Sequence, residues 1–193
     1  MFFADLPKYA AWRHRDAREG FEIAFLRAGD DGTHLEGATT AVEDGEGWIV
    51  RYLINLTLGW LTRWARVSGR SASGAHELTL EADGAGRWRV NGAPAPNLDG
   101  CLDVDLESSS LTNALPVHRL ELEVGEEADA PAAYVRAVDL SVDRLEQHYV
   151  RLGDGPDGQR YDYTAPGFDF ESVLSYDEFG LVLDYPGIAR RVA

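Results

Sequence analysis

Apolar and polar residues alternate with a period of two along most of the chain, in runs closed by Gly, Asp and Asn. That is the pattern of half-buried antiparallel strands joined by turns. FEIAFLRA (21–28) runs into the turn DDG, HLEGATTAV (34–42) into DGEG, and WIVRYLINL (48–56) follows, so a meander is expected. LTRWARVSG (61–69), HELTLEA (76–82) and RWRVNG (87–92) continue it, the last two joined by a hairpin at Asp83-Gly84. Trp60 and Trp64 share a face if their segment is extended.

Past the loop NGAPAPNLDG, Leu102, Val104 and Leu106 alternate with Asp103, Asp105 and Glu107, which predicts a strand with one apolar and one carboxylate-rich face. Ser108, Ser109 and Ser110 offer capping oxygens for a short helix carrying Leu111 and Leu115, which Pro116 should stop or kink. RLELEV (119–124) then predicts another strand, as do AAYVRAVDL, EQHYVRL, RYDYTA, FDFESVL and GLVLDY. Each strand shows an apolar face that must be covered, so a mainly β roll or open barrel is expected, formed as one domain over residues 1–193.

Composition narrows the function classes. Hydrophobic residues make up 45% of the 193, a globular value, and the net charge of −15 sets most of the surface against phosphate backbones and anionic membranes. Nucleic acid is therefore not expected as a partner. A single cysteine, Cys101, excludes a disulfide framework and a multi-cysteine metal site. The opening MFFADLPKYAAW is broken by Asp5, Pro7 and Lys8, and no apolar run is long enough to span a bilayer, so a cytoplasmic, non-spanning protein is expected.

Chemistry-bearing residues concentrate in NLDGCLDVDLESSSLTNALPVHRL (97–120). Cys101 and His118 could form a nucleophile and base only if they meet in space, and no cysteine-hydrolase signature surrounds them, so a buried inert thiol is the reading preferred. Asp103 and Asp105 project from one strand face, where two carboxyls could act as acid and base or share a cation with Asp99. A solvated strand face, or an ion pair with Arg119, is the commoner outcome for such a pattern. No metal site, cofactor or catalytic residue is expected, since no phosphate loop, GxSxG elbow or HExxH helix occurs.

LDGCLDVDL, LTNALPVHRL, QHYVRL, YDY and GLVLDYPGIARR, in that order between Trp12 and Arg190, resemble the putative glycolipid-binding protein family, once a domain of unknown function. The matching positions are Asp99, Gly100, Cys101, Asp103, Asp105, Thr112, Asn113, Leu115, Pro116, Arg119 and Leu120, then Gln147, Tyr149, Tyr161, Tyr163, Asp184, Tyr185 and Pro186. The chain departs from the family pattern at Ser110-Leu111, where Pro-Phe is usual, and at His118, where arginine is usual. The resemblance implies a spiral β-roll, a long curled antiparallel sheet wrapped around a single α-helix, and a homodimer. It brings no catalytic residues, and its functional content rests on fold analogy.

The reading that follows is non-enzymatic binding of a lipid-like or glycolipid-like molecule. Asp103, Asp105, Thr112, Asn113 and Arg119 are expected to form a polar network, with acyl chains inside the roll. Arg119, Asn113, Tyr161 and Tyr163 are expected to meet a polar head group at its mouth. The alternatives are a hydrolase of a sugar or ester, using Asp103 or Asp105 with help from His118, and a structural dimer without a small ligand.

Overall fold

A computed structural model describes residues 3–193; Met1 and Phe2, at the start of the amino-terminal stretch, lie outside the described residues. Eight strands come first: β1 (Tyr9–His14), β2 (Glu19–Gly29), β3 (Gly32–Glu43), β4 (Glu46–Leu56), β5 (Thr62–Ser71), β6 (Gly74–Ala82), β7 (Trp88–Val90) and β8 (Ala93–Pro94). They form the expected antiparallel meander, and the hairpin at Asp83-Gly84 joins β6 to β7 with Ala82 opposite Trp88. β9 (Asp103–Leu106) follows, then a 3-10 turn (Leu111–Asn113) and the helix α1 (Ala114–Leu120). After it come β10 (Glu127–Asp129), β11 (Ala132–Val135), β12 (Val142–Leu145), β13 (His148–Gly155), β14 (Gly158–Ala165), β15 (Phe170–Tyr176), β16 (Val182–Tyr185) and β17 (Ala189–Arg191).

β17 pairs antiparallel with β1, so the late strands extend the early meander into one 14-stranded sheet running β10-β13-β14-β15-β16-β17-β1-β2-β3-β4-β5-β6-β7-β8. The sheet curls without closing on itself, its two edges being β10 and β8. A separate sheet, β12-β11-β9, sits with α1 on the buried side. Period-two alternation sets which side faces in: Glu22, Ala24 and Leu26 of β2 and Trp48, Val50 and Tyr52 of β4 are buried, while Phe21 and Phe25 of β2 and Ile49, Arg51 and Leu53 of β4 are exposed. One core packs Trp12, Leu35, Ile54 and Leu80 of the large sheet against Leu98, Leu106, Leu111 and Leu115. A second gathers Tyr149, Tyr161, Tyr163 and Tyr176 around Val117. With Leu115 in the first core and Val117 in the second, α1 is the axis on which the sheet is wound.

Four local expectations are corrected. Residues 119–124 do not form a strand: Arg119 and Leu120 close α1, and Glu121 ends it in the left-handed region at φ 47°. Pro116 does not stop the helix, because it occupies the third helical position, where a backbone N–H has no partner to lose. The serines do not cap it either, since neither the 3-10 turn nor α1 carries a side-chain cap. Trp60 and Trp64 do not share a face: the backbone at Trp60 turns to φ 62° ahead of β5, sending its ring onto His118, while Trp64 lies in the strand beside Arg66.

Candidate functional site

β9 departs most from its expected environment. All four of its residues are buried, because it pairs in parallel with β11 inside the roll, so Asp103 and Asp105 do not form a solvated face. Their surroundings differ. Arg119 donates to Asp103 from Nη2 (2.6 Å) and Nε (3.1 Å), and burial still holds the carboxyl above the ordinary range despite this partner. Asp105 accepts from the Thr112 hydroxyl (2.8 Å) and the Gln147 side-chain amide (2.6 Å), and burial pushes its pKa up to about 6 against the two hydrogen bonds.

Asp105 lines a partly open cavity of about 260 Å³ between β9, β11, β14, β15 and the turn that leads from β1 into β2. One wall is a stack in which the Arg136 guanidinium lies 5.3 Å from the Tyr134 ring centre and 5.2 Å from that of Phe168. The other wall is a triangle of Tyr163, Phe170 and Tyr185, with ring centres about 6 Å apart and edges turned to faces. The rim is charged but internally compensated. Arg18 donates to the Glu107 carbonyl (2.9 Å) and stands 3.8 Å from Glu43, while Glu107 accepts from the Ala137 N–H (2.7 Å) and lies 3.5 Å from Arg136. Gln147 links floor to wall by also donating to the Tyr163 hydroxyl at 3.0 Å.

Of the residues expected at a site, Asp105, Asn113 and Tyr163 line this cavity, and Thr112 holds Asp105 from behind. Asn113 donates to the Tyr149 hydroxyl at 3.3 Å. Asp103 and Arg119 do not line it, because each is the other's partner. Tyr161 does not line it either; it donates to Gln159 (3.2 Å) beneath the guanidinium of Arg151. His118 is stacked flat on Trp60, centres 3.6 Å apart, with its pKa lowered to about 4 by burial, and does not line the cavity. The acid, base and histidine of a hydrolase therefore do not converge. Cys101 is buried, its thiol pushed up to about 11 by desolvation. Among the described residues no three His, Cys, Asp or Glu side chains gather as a metal site.

Arg18, Tyr134, Arg136 and Phe168 were not among the expected site residues. Alternation in AAYVRAVDL places Tyr134 and Arg136 on one face, which was the available signal for two of them. A second polar centre was also missed. Glu22 is fully buried on β2 and accepts from the Tyr52 hydroxyl (2.7 Å), the Ser109 hydroxyl and the Ser110 N–H (2.7 Å), so the serines expected as helix caps bind the sheet instead. Gly37 makes this possible: a Cβ there would lie 2.2 Å from the Tyr52 ring that crosses above it.

The family model described as putative glycolipid-binding matches residues 9–191. A crystal structure of a DUF1089 family protein from Pseudomonas aeruginosa is similar at 34% identity and a TM-score of 0.75, over 89% of this chain and 92% of that one. No curated protein matches the chain. With a family model covering nearly all of it and a solved relative of the same fold, the chain belongs to the putative glycolipid-binding family.

Proposed function

We propose that the protein binds the sugar head group of a glycolipid-like amphiphile in the cavity floored by Asp105. The observation that carries this is the lining itself: two aromatic clusters and a buried hydrogen-bonding carboxyl line one cavity. A sugar ring needs both, since its C–H faces pack on aromatic surface while its hydroxyls require partners once out of water. Size supports a head group over a chain. At roughly 30 Å³ per water-sized group, about 260 Å³ takes roughly nine such groups, enough for one sugar ring and too few for a long acyl chain. Acyl chains inside the roll would compete with Leu98, Leu106, Leu111 and Leu115, which already fill it. They leave instead through the open side of the cavity.

Titration with short-chain alkyl glycosides, kept monomeric and followed by aromatic fluorescence, tests the reading. Saturable binding that the matching free sugar competes away is expected. A flat response to every sugar head group tried contradicts it.

A further inference from the structure

The outer face of the meander carries an apolar patch that the cavity does not use. Tyr9 of β1, Phe21 and Phe25 of β2, and Ile49 and Leu53 of β4 are all exposed, Phe25 at 53%, with half-buried Ile23 among them. Strand register places them in neighbouring rows: Arg13, Phe21, Thr40, Ile49 and Arg70 in one, Tyr9, Phe25, Glu36, Leu53 and Arg66 in another, with Ile23 and Arg51 in the row between. A groove of about 450 Å³ crosses the face beside Ile23, Phe25 and Leu53.

The charge on this face opposes that of the molecule. Its rows hold Arg13, Arg51, Arg66 and Arg70 against Glu36 and Glu77, a local excess of two positive charges on a chain whose net charge is −15. Among the described residues no ion pair engages any of these four arginines. A second copy of the chain fits poorly here. Six strands, β1 to β6, by three rows cover about 600 Å², below the roughly 800 Å² per partner of a stable interface, and self-pairing would bring arginine-rich rows together.

We propose that this face docks on an anionic lipid bilayer, the arginines meeting head-group phosphates while Phe21, Phe25, Ile49 and Leu53 enter the interfacial layer. The docking depends on nothing bound in the cavity, so it stands or falls separately from the sugar reading.

Co-sedimentation of the full chain with vesicles tests it, using phosphatidylcholine alone and phosphatidylcholine mixed with phosphatidylglycerol, at low and high salt. Binding to the mixed vesicles only, weakened by salt, is expected. Replacing Arg51→Gln and Arg66→Gln together should lower that affinity roughly thirtyfold, and Phe21→Ser with Phe25→Ser should abolish it, with circular dichroism confirming that both variants fold. Failure to sediment with mixed vesicles, or equal binding to both kinds, overturns the proposal. So does light scattering that shows a dimer which Phe25→Ser separates, since the face would then belong to a second copy.

Discussion

Arg119, on the last turn of α1, holds Asp103 of β9 by two charge-assisted hydrogen bonds, 2.6 Å from Nη2 and 3.1 Å from Nε, with both side chains largely withdrawn from water. This pair fixes the wound-in helix to the inner sheet. Its net contribution is small by the usual balance of desolvation against attraction, but breaking it from one side leaves a buried charge. Arg119→Met should therefore cost about 3–5 kcal/mol in urea unfolding, and adding Asp103→Asn should restore most of the loss. A single variant within about 1 kcal/mol of wild type would show that water reaches Asp103 and that the pair does not pin the helix.

Glu22 serves the same end from the large sheet, collecting Tyr52, Ser109 and Ser110 on one carboxyl. Glu22→Ala orphans those donors and leaves a void, so a loss of about 3 kcal/mol or more is expected. Glu36→Ala, exposed on the neighbouring strand, is the control and should stay within about 0.5 kcal/mol. Equal effects of the two would contradict the assignment.

Asp105 gives a pH signature. Its pKa rises on folding from 3.8 to about 6, so its contribution is fully present below 3.8 and is lost as pH rises through about 6. At 1.36 kcal/mol per pH unit, that amounts to about 3 kcal/mol. His14 and His118, both lowered from 6.5 to about 4, act oppositely over an overlapping range, so the whole-protein pH profile mixes the signs. Asp105→Asn isolates the effect: relative to wild type it should gain stability from pH 4 to about 6 and level off above that. A difference that does not change with pH would mean that the carboxyl titrates normally.

Cys101 is buried in the first core with a depressed tendency to ionise. The thiolate is the reactive form, so a thiol reagent at neutral pH should label the native protein far more slowly than the unfolded chain. Labelling at comparable rates would place the sulfur at the surface.

What the sequence disclosed follows from where each element is covered. β2 to β6 are covered on one side only and keep a period of two, so their existence was legible, but in β2 polarity does not tell the side: Glu22 and Ala24 face in while Phe21 and Phe25 face out. β9 was harder because neighbours cover both its faces, and β1 because the small Ala11 is buried even on the outer face, between exposed Tyr9 and Arg13. Ala10, Ala11 and Trp12 are buried in succession, which removes the alternation that announces a strand, and Asp103 and Asp105 sit where polarity alone says solvent. The polar network expected of Asp103, Asp105, Thr112, Asn113 and Arg119 divides into separate partnerships, Asp103 with Arg119, Asp105 with Thr112 and Gln147, and Asn113 with Tyr149, a division that polarity alone does not announce. One carboxyl is spent on an arginine, and the other faces a cavity whose aromatic walls come from residues some 30 to 80 positions downstream. No local spacing encodes that meeting. The basic outer face was hidden for a related reason, since a net charge of −15 averages over faces that only strand register separates.

The central claim is that a sugar head group occupies the Asp105 cavity, and native mass spectrometry of gently purified protein, beside its Phe168→Ala variant, tests it most directly. Phe168 lies in the cavity wall and is 43% exposed, so its truncation should leave the fold intact while removing half of the Arg136 stack. A sugar-bearing lipid retained at one per chain by the wild type, and lost or held at least tenfold more weakly by the variant, is the predicted result. Retention of the same lipid equally by both proteins would place the ligand elsewhere and contradict the account.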